Sequence, residues 1–286
     1  MAVYEHTYRR YTEEVTPQWS RFLVLPRFMF KDIFESKLLV FFYAICFVWP
    51  LILGVFIYCY HQAKGMAQVS PDILEFFAVD AGTFSWFLYI QNGSALLLTM
   101  MVGPGLMSRD LANNGLPLYL CRPISRLEYV LGKITVLMAM LSTVTWVPGS
   151  LLFVLHGKLE GGGWLLDNQR IFGGIVFGSI VWILLLSLLA LATSAWVKWR
   201  PVAAFVFAMI FLFGLLFALM INGIFHTEWG FLTTHAYLIY IVWSALMGAE
   251  VPEAPTVFAS CVSLGILGAF SLLLLHLKIR AYEVVR

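Results

Sequence analysis

The chain has 286 residues, of which 61% are apolar and only 12% charged, and its mean hydropathy is +0.86. Soluble domains carry about a quarter charged residues, so an ordinary soluble fold is excluded. The net charge is only +2, and no nucleic-acid partner is expected.

Apolar stretches of about twenty residues recur along the whole chain, each long enough to cross a hydrocarbon core of about 30 Å. A transmembrane β-barrel would show short alternating segments instead. The expected fold is an all-α polytopic membrane protein. Residues 1–37 should form a cytoplasmic N-terminus with an amphipathic interfacial helix, and residues 38–286 a six-span transmembrane domain.

Residues 1–16 are polar and unlike a cleavable signal peptide. From Pro17 to Lys37 the pattern becomes amphipathic. Trp19, Phe22, Met29, Phe30 and Ile33 share one side of a helical wheel, and Arg21, Arg27, Lys31, Asp32 and Glu35 the other. Such a helix suits the membrane interface, with Trp19 in the apolar layer and Arg21, Arg27 and Lys31 toward water; a soluble helix packed on a partner is the alternative. Pro26 should start or kink it.

The six spans are expected near residues 38–60, 84–107, 127–155, 171–197, 202–225 and 256–277. The first contains Pro50 and Gly54, the second Gln91, Asn92, Ser94 and Gly103-Pro104-Gly105. The third begins on a capping-box pattern, Ser125-Arg126-Leu127-Glu128. A glycine-rich loop, 156–169, follows it. Between the last two spans lies an apolar core of only twelve residues, 236–247, too short to cross and suited to a re-entrant or interfacial outer helix. With both termini in the cytoplasm, fifteen of the eighteen Lys and Arg fall on the inner side and only Lys64, Lys158 and Arg170 on the outer. A seventh crossing would put the basic tail outside.

Little in the chain suggests chemistry. Gly132-Lys133 and Gly157-Lys158 lack the rest of a phosphate-binding loop. The four cysteines have no paired spacing, and the six histidines mostly lie at span ends, so no metal site and no catalytic residue is expected. The midplane lacks charge, leaving Gln91, Asn92 and Asn222 as candidates for a substrate path or, alternatively, interhelical hydrogen-bond donors and acceptors. Trp86, Trp146, Trp164, Trp229 and Trp243 should cluster toward the outer side, as an interfacial belt or an apolar surface for lipid-like cargo.

The loop between the second and third spans, 108–126, holds several charges and still looks structured. Ser108 can cap a short helix with Asp110 in its first turn. Leu111, Leu118 and Leu120 give that helix an apolar side, while Arg109, Asp110, Asn113 and Asn114 stay wet. Arg122-Pro123 then turns the chain into the Ser125 cap. The loop offers a partner an apolar knob with a charged rim, or merely rests on the inner leaflet.

The run SRDLANNGLPLYLCRPISRLEYVLGK resembles the corresponding loop of ABC-2 type permeases, the membrane subunits of a class of ATP-binding-cassette transporters. Asp110, Gly115, Leu116, Leu120, Arg122, Pro123, Tyr129, Gly132 and Lys133 carry the resemblance, over about a tenth of the chain. Pro117 departs from it where an uninterrupted helix is usual. The resemblance implies a coupling helix formed by Arg109, Asp110, Leu111, Asn113, Asn114, Leu118, Leu120 and Arg122, docked on a separate ATPase subunit. It implies pairing with a second, identical or similar permease subunit in the bacterial cytoplasmic (inner) membrane. The chain itself would bind no cofactor and catalyse nothing; ATP and Mg would belong to the partner. Export is the expected direction, and Asp110→Ala or Arg122→Ala should uncouple hydrolysis from transport without unfolding the protein. The alternative is a non-transport scaffold that anchors a larger complex.

Overall fold

The structure, a computed structural model, describes residues 24–65, 78–113 and 125–281. Among them there are helices and connecting turns and no strand. A short helix, α1 (Val24–Phe34), is followed by α2 (Lys37–Ile45) and α3 (Val48–Lys64), then α4 (Ala81–Ala112). Next come α5 (Arg126–Val144), α6 (Trp146–Glu160), α7 (Trp164–Asp167) and α8 (Gln169–Gly173). A π turn at Gly174–Gly178 leads into α9 (Ser179–Trp196), and α10 (Arg200–Phe225), α11 (His235–Met247) and α12 (Val257–Ala281) complete the chain.

Five continuous helical stretches are long and apolar enough to cross a membrane: Lys37–Lys64, Arg126–Glu160, Gln169–Trp196, Arg200–Phe225 and Val257–Lys278. The centre is Gln169–Trp196, with 67% of its most apolar window buried, against 11% for Arg200–Phe225 at the periphery. Helix α9 touches α4, α5, α10 and α12. Small residues make the approach possible: a Cβ on Gly103 would lie 2.6 Å from the Ala190 Cβ, so α4 and α9 meet almost backbone to backbone. Helix α4 has 32 residues, but Gln91, Asn92 and Ser94 interrupt its apolar run and it falls outside the five.

Two of the expected spans are each split in two. The first breaks between α2 and α3 at Cys46-Phe47, the third between α5 and α6 at Thr145. The cause is the same in both. Pro50 and Pro148 each sit three residues into the following helix, where the ring displaces the carbonyl four residues earlier and offers it no N–H. The two orphaned carbonyls belong to Cys46 and Val144. Both are bonded by one side chain: Gln91 Nε2 donates to Cys46 O and to Val144 O, each at 2.8 Å. Gln91 is fully buried.

The second expected span also differs. Helix α4 does not stop at Gly103-Pro104-Gly105; it runs on to Ala112. Ser108 therefore caps no new helix. Its hydroxyl donates to Pro104 O, and Ser194 of α9 donates to the same oxygen at 2.7 Å while accepting from the Ser108 amide at 2.9 Å. Side chains of α9 and of the next turn thus bond the backbone around Pro104, as they must where no water reaches. The Ser125–Glu128 capping box is present, with both reciprocal bonds. Helix α6 continues past residue 155 to Glu160, so His156 is helical rather than in a loop.

Candidate functional site

A group of charged side chains gathers where α4 ends and α5 begins. Tyr129 and Lys133 are four apart on α5, hence on one face. That face meets Asp110: the Tyr129 hydroxyl donates to its Oδ2 at 2.6 Å and Lys133 Nζ at 2.8 Å. The Lys133 side chain is 1% exposed and that of Asp110 17%. The ammonium also lies 5.2 Å from the Tyr129 ring centroid. A buried ammonium needs such partners, because leaving it unpaired costs several kcal/mol.

One residue earlier, Arg109 points the other way. Its Nη1 pairs with Asp32 Oδ2 of α1 at 2.5 Å, and both side chains are at least half exposed. Helix α1 in turn lies along α5, with Met29, Phe30 and Ile33 against the core and Arg27 and Lys31 in the open. Arg200, at the start of α10, crosses α4 beside Gly105 and donates from Nη2 to Met101 O at 2.9 Å. These groups enclose a cavity of about 390 Å³ lined by Asp32, Arg109, Asp110, Lys133 and Arg200 among others.

The expected coupling residues are therefore divided. Arg109 and Asn113 are exposed. Leu111 is 3% exposed and belongs to the core. Asp110 does not stay wet: it is turned onto α5 and neutralises a buried lysine. Asn114, Leu118, Leu120 and Arg122 lie outside the described residues, as do Trp19 and Arg21 of the expected interfacial helix. The structure places Gln91 and Asn92 in the packed interior, where Asn92 Oδ1 accepts from Trp182 Nε1 at 2.6 Å. Asn222 accepts the Gly230 amide at 2.8 Å and shapes the turn before α11. None of the three lines the cavity around Asp110.

The partners Asp32, Tyr129, Lys133 and Arg200 were not singled out from sequence as an ion-pair network. A signal was present. A lysine two turns into an apolar helix requires a carboxylate, and Asp110 is the nearest one in the chain outside Glu128. No family model and no curated protein matches the chain.

Proposed function

We propose that the chain is the membrane-spanning subunit of an ATP-binding-cassette transporter of the ABC-2 type, moving its cargo with energy supplied by a separate ATPase. In this reading α4 is the sixth span, α1 lies in the inner interface, and α11 is the re-entrant helix of the outer side. Both termini are cytoplasmic and the bilayer is a bacterial cytoplasmic membrane. Two such subunits, identical or similar, pair around the cargo path, and the favoured direction is export. Nucleotide and Mg bind the ATPase subunit, because this chain has no phosphate-binding loop.

The observation that carries the reading is the brace beneath the segment that resembles the family's coupling loop. That segment leaves α4 immediately after Arg109-Asp110 and enters α5 just before Tyr129 and Lys133. Asp110 ties its two ends together. Arg109 ties the same turn to α1. A push on the loop or on α1 is thus delivered to α4 and α5 as one body rather than lost in a floppy turn.

The test is to isolate the full chain from its native membrane in mild detergent and identify what comes with it. A P-loop ATPase should copurify and hydrolyse ATP. Reversing the exposed charge, Arg109→Glu, should lower that hydrolysis, and adding Asp32→Arg should restore it. A complex without any ATPase, the result a scaffold would give, overturns the proposal.

A further inference from the structure

At the opposite end of the bundle from Arg109, α3 and α6 finish side by side. His156 and Glu160 are four apart on α6 and so share a face. His61 of α3 stands against that face. Its Nε2 is 3.0 Å from His156 Nδ1, and its Nδ1 is 3.7 Å from Glu160 Oε2. One ligand atom from each of the three residues can be chosen so that all lie within 4.8 Å of one another. We propose that His61, His156 and Glu160 form a binding site for a divalent transition-metal ion, with Zn²⁺ the best fit, that clips α3 to α6.

The distances suit that ion. Donors at about 2.0–2.1 Å from a tetrahedral Zn²⁺ stand about 3.3 Å apart. The two imidazole nitrogens already have nearly that spacing, and the carboxylate closes the rest by a side-chain rotation. Each imidazole can carry its proton on the nitrogen turned from the other ring, Nδ1 of His61 on the Glu160 side and Nε2 of His156, which leaves the two facing nitrogens as lone-pair donors. Two imidazoles and one carboxylate favour a borderline ion over Mg²⁺ or Ca²⁺, which prefer all-oxygen sites. Three protein ligands leave a fourth position open to water or another ligand.

The surroundings hold the donors still. Gly161, Gly162 and Gly163 all have positive φ and fold the chain back after α6. Trp164 then packs edge-on against the His156 ring, with centroids 4.5 Å apart. His156 is 2% exposed, whereas the Glu160 side chain is 27% exposed, so an ion reaches the site from the Glu160 side. Lys64 occupies that approach, its Nζ 2.5 Å from Glu160 Oε1; its own side chain is 47% exposed and free to swing away. Lys64 is thus a built-in competitor for the carboxylate.

The site is independent of the transport reading, because it is read by metal content alone. The full chain, purified in detergent and stripped with chelator, is loaded with Zn²⁺ or Co²⁺ and passed through gel filtration. One Zn²⁺ per chain should remain bound, and Co²⁺ should show the intense visible bands of tetrahedral coordination. His61→Gln and His156→Gln should abolish retention, Glu160→Gln should weaken it ~10-fold or more, and Lys64→Ala should tighten it. Should His156→Gln fail to fold, the more exposed His61→Gln and Glu160→Gln decide. Failure of the chain to retain Zn²⁺, or retention unchanged by both of those variants, overturns the proposal.

Discussion

The Asp110–Lys133 pair offers the sharpest check on the brace between α4 and α5. Two unit charges 2.8 Å apart attract by about 6 kcal/mol at an effective dielectric near 20. Desolvation of the ammonium, 1% exposed, offsets much of that, so the pair's net worth is small. Breaking it is another matter. Asp110→Ala leaves the ammonium buried without its carboxylate and removes the acceptor of the Tyr129 hydroxyl. The expected loss is about 3–5 kcal/mol. Asp110→Ala should therefore weaken the fold itself, contrary to what a solvent-exposed loop residue would do. Lys133→Met should cost less than Asp110→Ala, because Asp110 keeps partial access to water. The double variant Asp110→Ala with Lys133→Met should recover most of the loss. The assay is unfolding of the purified chain in mixed micelles, followed by circular dichroism and arranged as a double-mutant cycle. A cost below about 1 kcal/mol for Asp110→Ala, or single losses that simply add, would falsify the claim that this pair is the fixed joint between α4 and α5.

Other consequences can be read from the same preparations. Arg109→Glu breaks an exposed ion pair and should cost no more than about 1 kcal/mol of stability, so its effect on ATP hydrolysis is separable from folding. Gln91→Leu strands two buried carbonyls and should destabilise by about 1–3 kcal/mol; Pro50→Ala with Pro148→Ala in the same chain should make that substitution nearly harmless, since both carbonyls regain backbone donors. Gly103→Ala should cost about 1–3 kcal/mol through overpacking against α9, and Ala190→Gly should relieve it by removing the opposing Cβ 2.6 Å away; a double variant no better than the single one refutes this account of the α4–α9 contact.

What could be read from the sequence follows from which forces act locally. The Ser125–Glu128 cap and the short helix before α12 depend on neighbours in the chain, and they lie where expected, with α11 at 13 residues. Gly103-Pro104-Gly105 suggests a helix end near Met107, but α4 runs on to Ala112. Side chains about 90 to 100 residues away brace that turn, Ser194 at Pro104 O and Arg200 at Met101 O. Asp110 looked wet because its partners sit across an intervening loop. His61 and His156 looked solitary for the same reason, being 95 residues apart. Where Asp110 and Leu111 point within residues 108–133 depends on the packing of α5, which the loop's own sequence does not carry.

The proline breaks acquire a mechanical meaning once Gln91 is placed between them. Lys37–Lys64 and Arg126–Glu160 are each two rods meeting at a freed carbonyl, and the same amide holds both joints. On one side of that level, α4 is fastened to α5 through Asp110 and to α1 through Arg109. On the other side, α3 and α6 are fastened to each other through His61, His156, Glu160 and Lys64. A bend at Gln91 costs little backbone bonding, because the ladder is already open there, whereas a bend within either fastened half must break a charged or packed contact. Lys37–Lys64 and Arg126–Glu160 can therefore bend where their ladders are open, against the Gln91 bonds alone, while α4 passes the same level as one unbroken helix and sets how far they go.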